Sequence, residues 1–211
     1  MTRLGMVINL NRCIGCHACS VGCAVSRGLP AGDRWSAVKE YVTGTFPDVE
    51  VTYLPTLCMQ CDSPACMAAC PTGATYVDEA GVVMVDTATC IGCKSCVAAC
   101  PYGARVVLDS VESNHGASGP TDHEAHHFVA HAAGIAEKCT FCADRRQRGE
   151  DPLCVKTCVA SARVFGDLDD PESEVSKLAA QGTVLLEGEG TSPCVFYLYS
   201  GSNDLDGAFN S

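Results

Sequence analysis

The stretch at residues 90–101, CIGCKSCVAACP, constrains this chain more than any other. It sets out Cys90, Cys93, Cys96 and Cys100 as C-x2-C-x2-C-x3-C, with Pro101 directly after the last. Three thiolates two residues apart can curl round one face of an inorganic core. Gly92 lets the backbone come close and aim N–H groups at sulfur. The fourth cysteine sits about one helical turn further on and faces away, so it reaches a second core. This is the spacing by which cubane [4Fe–4S] clusters are held. Such a stretch implies a partner stretch, and the chain has three more.

Quartet one is Cys13, Cys16, Cys19 and Cys23, with the same spacing but Ala24 in place of the proline. Quartet two is Cys58, Cys61, Cys66 and Cys70, followed by Pro71, with Pro64 in a longer middle gap. The stretch already described is quartet three. Quartet four is Cys139, Cys142, Cys154 and Cys158, and its middle gap of 11 residues contains Arg145, Arg146 and Arg148. Of 17 cysteines only Cys194 stands outside a quartet, and it is expected to be a buried structural thiol. So many cysteines in a short secreted chain would signal disulfides, but spaced quartets favour metal. Lone C-x2-C pairs often hold zinc; four quartets of 2-2-3 or related spacing point to iron and sulfide instead. With 6 Phe, 6 Tyr and 1 Trp the aromatic core is thin. Clusters are therefore expected to form much of the interior, coupling folding to metal loading.

The formal net charge is −11, and thiolate-held clusters make it more negative. That argues against nucleic acid or an anionic membrane surface as main partners. No apolar run approaches the roughly 20 residues needed to span a bilayer. The opening MTRLGMVINLNRC has neither a long apolar segment nor a twin arginine, so no export signal is expected here. The protein either stays in the cytoplasm or is carried out by a signal-bearing partner.

An internal repeat organises the rest. GATYVD (73–78) follows quartet two, GARVVLD (103–109) quartet three and SARVFGD (161–167) quartet four. Each reads as a small-residue turn and a short strand, so the unit is a cysteine helix, a turn and a strand. Residues 58–108 contain a complete two-cluster ferredoxin unit, with TYVDEAGVVMVD as a hairpin turning at Asp78–Gly81. Quartet one has a strand before it, LGMVINL (4–10), but no such strand after it; quartet four has one after it. The simplest closure pairs one with four.

The expected fold class is α+β: two bacterial-ferredoxin-like two-cluster units, the second inserted in the first, with a C-terminal extension. The expected segments are 1–50 and 138–175 for the outer unit and 51–108 for the inserted unit. A polar His-rich insertion at 109–137 and an extension at 176–211 complete the chain. Within 24–57, a spacer with turn signals, Val51-Thr52-Tyr53 reads as a strand. The sequence after quartet four reads as an acidic turn and short helix. Strands are then expected near Val184-Leu185-Leu186 and Val195–Tyr199, with the last dozen residues on a surface or a partner. His123, His127 and His131 fall at four-residue steps that a helix would align, with His126 adjacent; that face can meet a partner or bind a metal.

The whole pattern resembles the four-cluster electron-transfer subunits of molybdopterin oxidoreductases of the dimethyl sulfoxide reductase superfamily. The segments LGMVINLNRCIGC, GTFPDVEVTYLPTLCMQCD, KCTFC and ARVFGDLDDPESEVS are most similar to the small subunits of arsenate, tetrathionate, thiosulfate and polysulfide reductases. The resemblance implies four [4Fe–4S] clusters with crossed ligand sets. These are Cys13, Cys16, Cys19 with Cys158; Cys139, Cys142, Cys154 with Cys23; Cys58, Cys61, Cys66 with Cys100; and Cys90, Cys93, Cys96 with Cys70. It implies two partners: a large catalytic subunit carrying a molybdenum or tungsten pterin near the one/four pair, and a quinol-side subunit or membrane anchor near the two/three pair. Val159 stands where such proteins often have proline, which leaves the ligand itself intact.

No phosphate loop, nucleophile with a placed base or dinucleotide fingerprint is found, so the expected function is single-electron relay with no active site. A freestanding polyferredoxin, or an adaptor of a hydrogenase or formate-oxidising complex, is the alternative; a molybdenum- or tungsten-bearing partner discriminates. Lys94, Arg145, Arg146, Arg148 and His17 are candidates for tuning or gating a cluster, each weighed against an ordinary surface side chain.

Overall fold

The computed structural model describes residues 2–30, 32–113, 115–128 and 131–210. In chain order its elements are β1 (Leu4–Asn9), α1 (Ala18–Arg27), β2 (Ser36–Thr45), β3 (Asp48–Leu57), α2 (Ala65–Ala68), β4 (Thr75–Val77) and β5 (Val83–Val85). There follow α3 (Ser95–Ala98), β6 (Val106–Val107), α4 (Asp122–Phe128), β7 (Ala136–Glu137), α5 (Ala143–Arg146) and α6 (Leu153–Lys156). The chain ends with β8 (Arg163–Asp167), α7 (Glu174–Ala179), β9 (Val195–Leu198) and α8 (Leu205–Asn210). Helices and short strands thus share the chain, as the α+β reading requires.

The strands join distant parts of the sequence. β1 lies in the middle of a three-stranded sheet, antiparallel to β8 with Met6 opposite Phe165 and parallel to β9 with Met6 beside Val195. Met6, Val7 and Ile8 are fully buried there, with Val195 and Tyr197 against them. Both faces of β1 are covered, so its sequence is a continuous apolar run rather than an alternating one. The helices pair likewise: α1 packs on α6, and α2 on α3. The β4–β5 hairpin forms with Thr75 opposite Val85, as its turn residues predict.

Four expectations are corrected. The spacer at 24–57 is largely a long hairpin, β2 on β3, with Ser36 opposite Leu57 and Gly44 at φ +80° next to the turn. Near Val184-Leu185-Leu186 there is no strand: Leu186 takes φ +50° and feeds a 3₁₀ turn, and only a single bridge joins Thr183 to Tyr197. The tail lies on the surface only in part. Ala208 and Phe209 of α8 are buried, and the Phe209 ring meets Tyr102 edge-on.

Finally, His131 is not helical and so lies off the α4 face that carries His123 and His127. The histidines instead close the C-terminal end of α1. His123 Nε2 donates to the Val25 carbonyl at 2.7 Å, and His131 Nε2 to the Arg27 carbonyl at 2.6 Å. His131 Nδ1 meets the Glu137 carboxylate at 2.8 Å, with both side chains buried. The Glu137 carboxylate favours the cationic form of this imidazole and keeps it above its ordinary pKa against the effect of burial. A cation there also suits the negative end of α1.

Among the described residues no helix is long and apolar enough to cross a membrane. Replacing His131 by alanine strands Glu137 in the interior; chemical denaturation of the anaerobically purified protein should show a loss of about 3–5 kcal/mol.

Candidate metal centre

The four C-x2-C turns share one backbone device. The second residue between the paired cysteines is left-handed in every quartet: Gly15 at φ +66°, Gln60 at +49°, Gly92 at +68° and Phe141 at +48°. That conformation turns both flanking thiols to one side, and only glycine adopts it without cost. Space demands glycine in two of the turns. A Cβ on Gly15 would enter the Tyr53 ring, and one on Gly92 would strike the Gly134 carbonyl. Gln60 and Phe141 bear the strain because their side chains are wholly buried. The Gln60 amide donates to the Cys139 carbonyl at 2.8 Å and accepts from the Val83 N–H at 3.0 Å.

Two cavities follow from these turns. One, of about 370 Å³, is lined by Cys13, Cys16, Cys19 and, from quartet four, Cys158. The other, of about 330 Å³, is lined by Cys90, Cys93, Cys96 and, from quartet two, Cys70. The remaining eight quartet thiols lie outside these two linings. Burial, then Cys154 and Cys142, push Cys23 up to about 12. Burial pushes Cys61 up to about 12 as well, with Cys58, Cys66 and Cys100 adding to the shift. The fully buried Cys139 is raised well above the ordinary thiol value, first by desolvation and then by Cys23, Cys154 and Cys58. Cys19 adjoins Cys154, and Cys66 adjoins Cys96. Cys139 thus adjoins Cys58, bringing quartet four against quartet two. Cys16 and Cys93 are exposed, one in each lined cavity.

The residues fit thiolate-bound metal. Buried thiols with raised pKa values do not ionise in neutral water, and a bound cation reverses that. Arg105 and Arg163 are 5% and 4% exposed. Their guanidinium groups donate to Cys66 Sγ at 2.9 Å and Cys19 Sγ at 3.4 Å. An unpaired charge in the interior is costly, and sulfur is the anion both are aimed at. Burial works to lower the Arg163 pKa, yet Cys154 and Cys19 outweigh it and raise it. Backbone N–H groups also reach sulfur, from Ala162 to Cys158 at 3.2 Å and from Leu153 to Cys142 at 3.5 Å.

The other candidates divide. His17 and Lys94 occupy equivalent left-handed positions, at φ +58° and +60°, each lining one of the two cavities. The Lys94 side chain is 59% exposed, 3.7 Å from Asp109, a surface pair of little energetic worth. Arg145 and Arg148 pair with Glu150 on the surface. Arg146 reaches Asp78 at 3.2 Å and so ties α5 to the β4–β5 turn. Cys194 is fully buried, with burial pushing its thiol up to about 12. Among the described residues no three His, Cys, Asp or Glu side chains converge to hold a single metal ion, the His cluster included. Sequence reading passed over Arg105, Arg163 and Gln60. The two arginines did have a signal, since each stands third in a repeated GAR or SAR triplet.

Substituting Gly92 by alanine should cost the cluster at quartet three, seen as a drop of about four iron atoms per chain with the other clusters' spectra retained.

Comparison with known proteins agrees with this geometry. The family model described as the 4Fe-4S dicluster domain matches residues 49–116 and 124–168. The chain is 38% identical to the arsenate respiratory reductase iron-sulfur subunit ArrB of a Shewanella species, over 94% of this chain and 97% of that one. It is 39% identical to a subunit of tetrathionate reductase from Salmonella typhimurium, over 98% of this chain and 74% of the relative. It is 35% identical to a polypeptide of polysulfide reductase from Wolinella succinogenes, over 92% of this chain and 93% of the relative. This protein belongs to the 4Fe–4S dicluster family, as an iron–sulfur electron-transfer subunit of the kind found in molybdopterin reductase complexes.

Proposed function

We propose that this chain holds four [4Fe–4S] clusters in two nested ferredoxin-like units. It relays electrons singly between a molybdopterin catalytic subunit and a quinol-side or other redox partner. The ligand sets are Cys13, Cys16, Cys19, Cys158; Cys139, Cys142, Cys154, Cys23; Cys58, Cys61, Cys66, Cys100; and Cys90, Cys93, Cys96, Cys70. One observation carries the reading: each lined cavity joins three cysteines of one quartet to the last cysteine of another. The pairing of β1 with β8 and of α1 with α6 supports an outer unit made from the two ends of the sequence.

When bound, such a cluster takes up or gives one electron with little rearrangement, so a row of them makes a wire of short hops. The chain's residues supply the rest. Buried thiols and packed helices keep water from the middle groups. Backbone N–H groups and the two arginines support negative charge on sulfur. Cys16 and Cys93 are exposed, one in each lined cavity, and there a donor and an acceptor can approach. By likeness to the relatives, the quartet-one end faces the catalytic subunit.

Two measurements test this. Protein purified natively without oxygen should carry roughly 16 iron atoms per chain beyond the partner's own, with molybdenum or tungsten in the co-purifying large subunit. The same iron without either metal would favour a freestanding carrier. In Cys158→Ala, spectroscopy should show damage to the cluster of Cys13, Cys16 and Cys19; loss confined to that of Cys139, Cys142 and Cys154 would refute the crossed ligand sets.

A further inference from the structure

Arg105 and Arg163 form a duplicated device. Each stands five positions after the last cysteine of its quartet, Cys100 or Cys158, where the repeat's strand begins. Each reaches back to the third cysteine of the partner quartet, Arg105 to Cys66 and Arg163 to Cys19. The same position after Cys70 is Thr75, and after Cys23 it is Gly28, so two of the four groups lack the arginine. We propose that Arg105 and Arg163 are redox-tuning residues, each raising the reduction potentials of the two clusters whose cysteines it faces. This rests on the reading above only in that Cys19, Cys154, Cys66 and Cys96 ligate clusters.

The argument is electrostatic. Both guanidinium groups are buried, and among the described residues neither pairs with a carboxylate. Their oxygen and thioether partners are neutral: Thr75 Oγ1 at 3.2 Å for Arg105, and Ser36 Oγ at 3.4 Å and Met6 Sδ at 3.7 Å for Arg163. Arg163 also hydrogen-bonds Cys154, and Arg105 lies beside Cys96, so each guanidinium faces thiols of two neighbouring groups. Arginine keeps its proton at any working pH, so each is a fixed, uncompensated positive charge. Away from water such a charge acts far more strongly than on the surface. Reduction adds one electron, and so one negative charge, to a cluster already held by thiolates. A fixed cation with an N–H donor to sulfur stabilises that state more than the oxidised one, which raises the potential.

The other cations near the clusters are spent differently. Arg27 also reaches Cys142, but its charge is matched by Asp144. Lys138 gives its hydrogen bonds to the Val83 and Cys139 carbonyls and to Gln60. Lys94 is open to solvent, where its field is screened.

The test is a potentiometric titration of the purified complex, followed by electron paramagnetic resonance. The variants are Arg105→Met, Arg163→Met and the polar but neutral Arg105→Gln and Arg163→Gln. The shifted signals are assigned by comparison with Cys66→Ser, Cys96→Ser, Cys19→Ser and Cys154→Ser. Each neutral variant should keep its iron and lower the potentials of the two clusters its arginine faces, those of Cys66 and Cys96 for Arg105 and those of Cys19 and Cys154 for Arg163, leaving the other two unchanged. Arg163→Lys, which keeps the charge, should restore most of the lost potential. Full iron with unchanged potentials would overturn the proposal, and so would equal shifts in all clusters. Loss of the cluster in both the Met and Gln variants would make the arginines structural and overturn it as well. The crossed ligand sets are judged separately by Cys158→Ala. If Cys19→Ser and Cys66→Ser leave every cluster intact, the ligation reading fails instead.

Discussion

Buried thiols resist ionisation, and this protein gathers them around shared centres with two guanidinium groups aimed at their sulfur atoms. Desolvation opposes the thiolate at Cys139, Cys23 and Cys61, while the same low-polarity setting makes an unmatched arginine costly. Both penalties are relieved together when the thiols release their protons to solvent and bind metal as thiolates. The fold is thus built for the loaded state, and removing metal should cost folding free energy as well as function.

The meeting of quartets two and four depends on a small polar junction. Gln60, strained and fully buried, is held between Val83 and the Cys139 carbonyl. Lys138 adds its ammonium to the same oxygen atoms, and Arg146 bridges to Asp78 nearby. Gln60 and Lys138 find partners in the interior, the condition under which a buried polar network adds rigidity rather than cost, while among the described residues the Arg146 Nε is left without one. The junction connects the quartet-two turn to the start of quartet four, where Cys58 and Cys139 adjoin. A rigid joint there keeps Cys58 and Cys139 at a fixed separation.

Elsewhere the chain closes on itself with segments that contribute no cysteine ligand. The His-bearing segment caps α1, the helix that carries Cys19 and Cys23, through side-chain donors to its last carbonyl groups. Phe209 of α8 packs on Tyr102, while Tyr102 hydrogen-bonds Thr191 at 2.6 Å and so braces the wall behind Cys100. Few aromatic residues are available, and they are spent at such places.

Cysteine spacing, the repeated turn-and-strand and the apolar β1 were legible in the sequence, because each depends on backbone geometry within a dozen residues. Spacing alone foretold the chemistry of the quartets, and the repeat foretold β4, β6 and β8. The long β2–β3 hairpin was hidden, since its alternation is broken by polar residues on both faces and only Gly44 marked the turn. The tail helix was hidden too, because the polar residues round Phe209 do not reveal that one aromatic ring finds a socket about a hundred residues earlier in the sequence. Tertiary structure alone decided which cysteine of one quartet adjoins which of another, that two arginines reach back across the repeat to sulfur, and that His131 parts from its helix to meet Glu137. These are contacts between distant segments, chosen by burial and charge rather than by local conformation, and no spacing along the sequence encodes them.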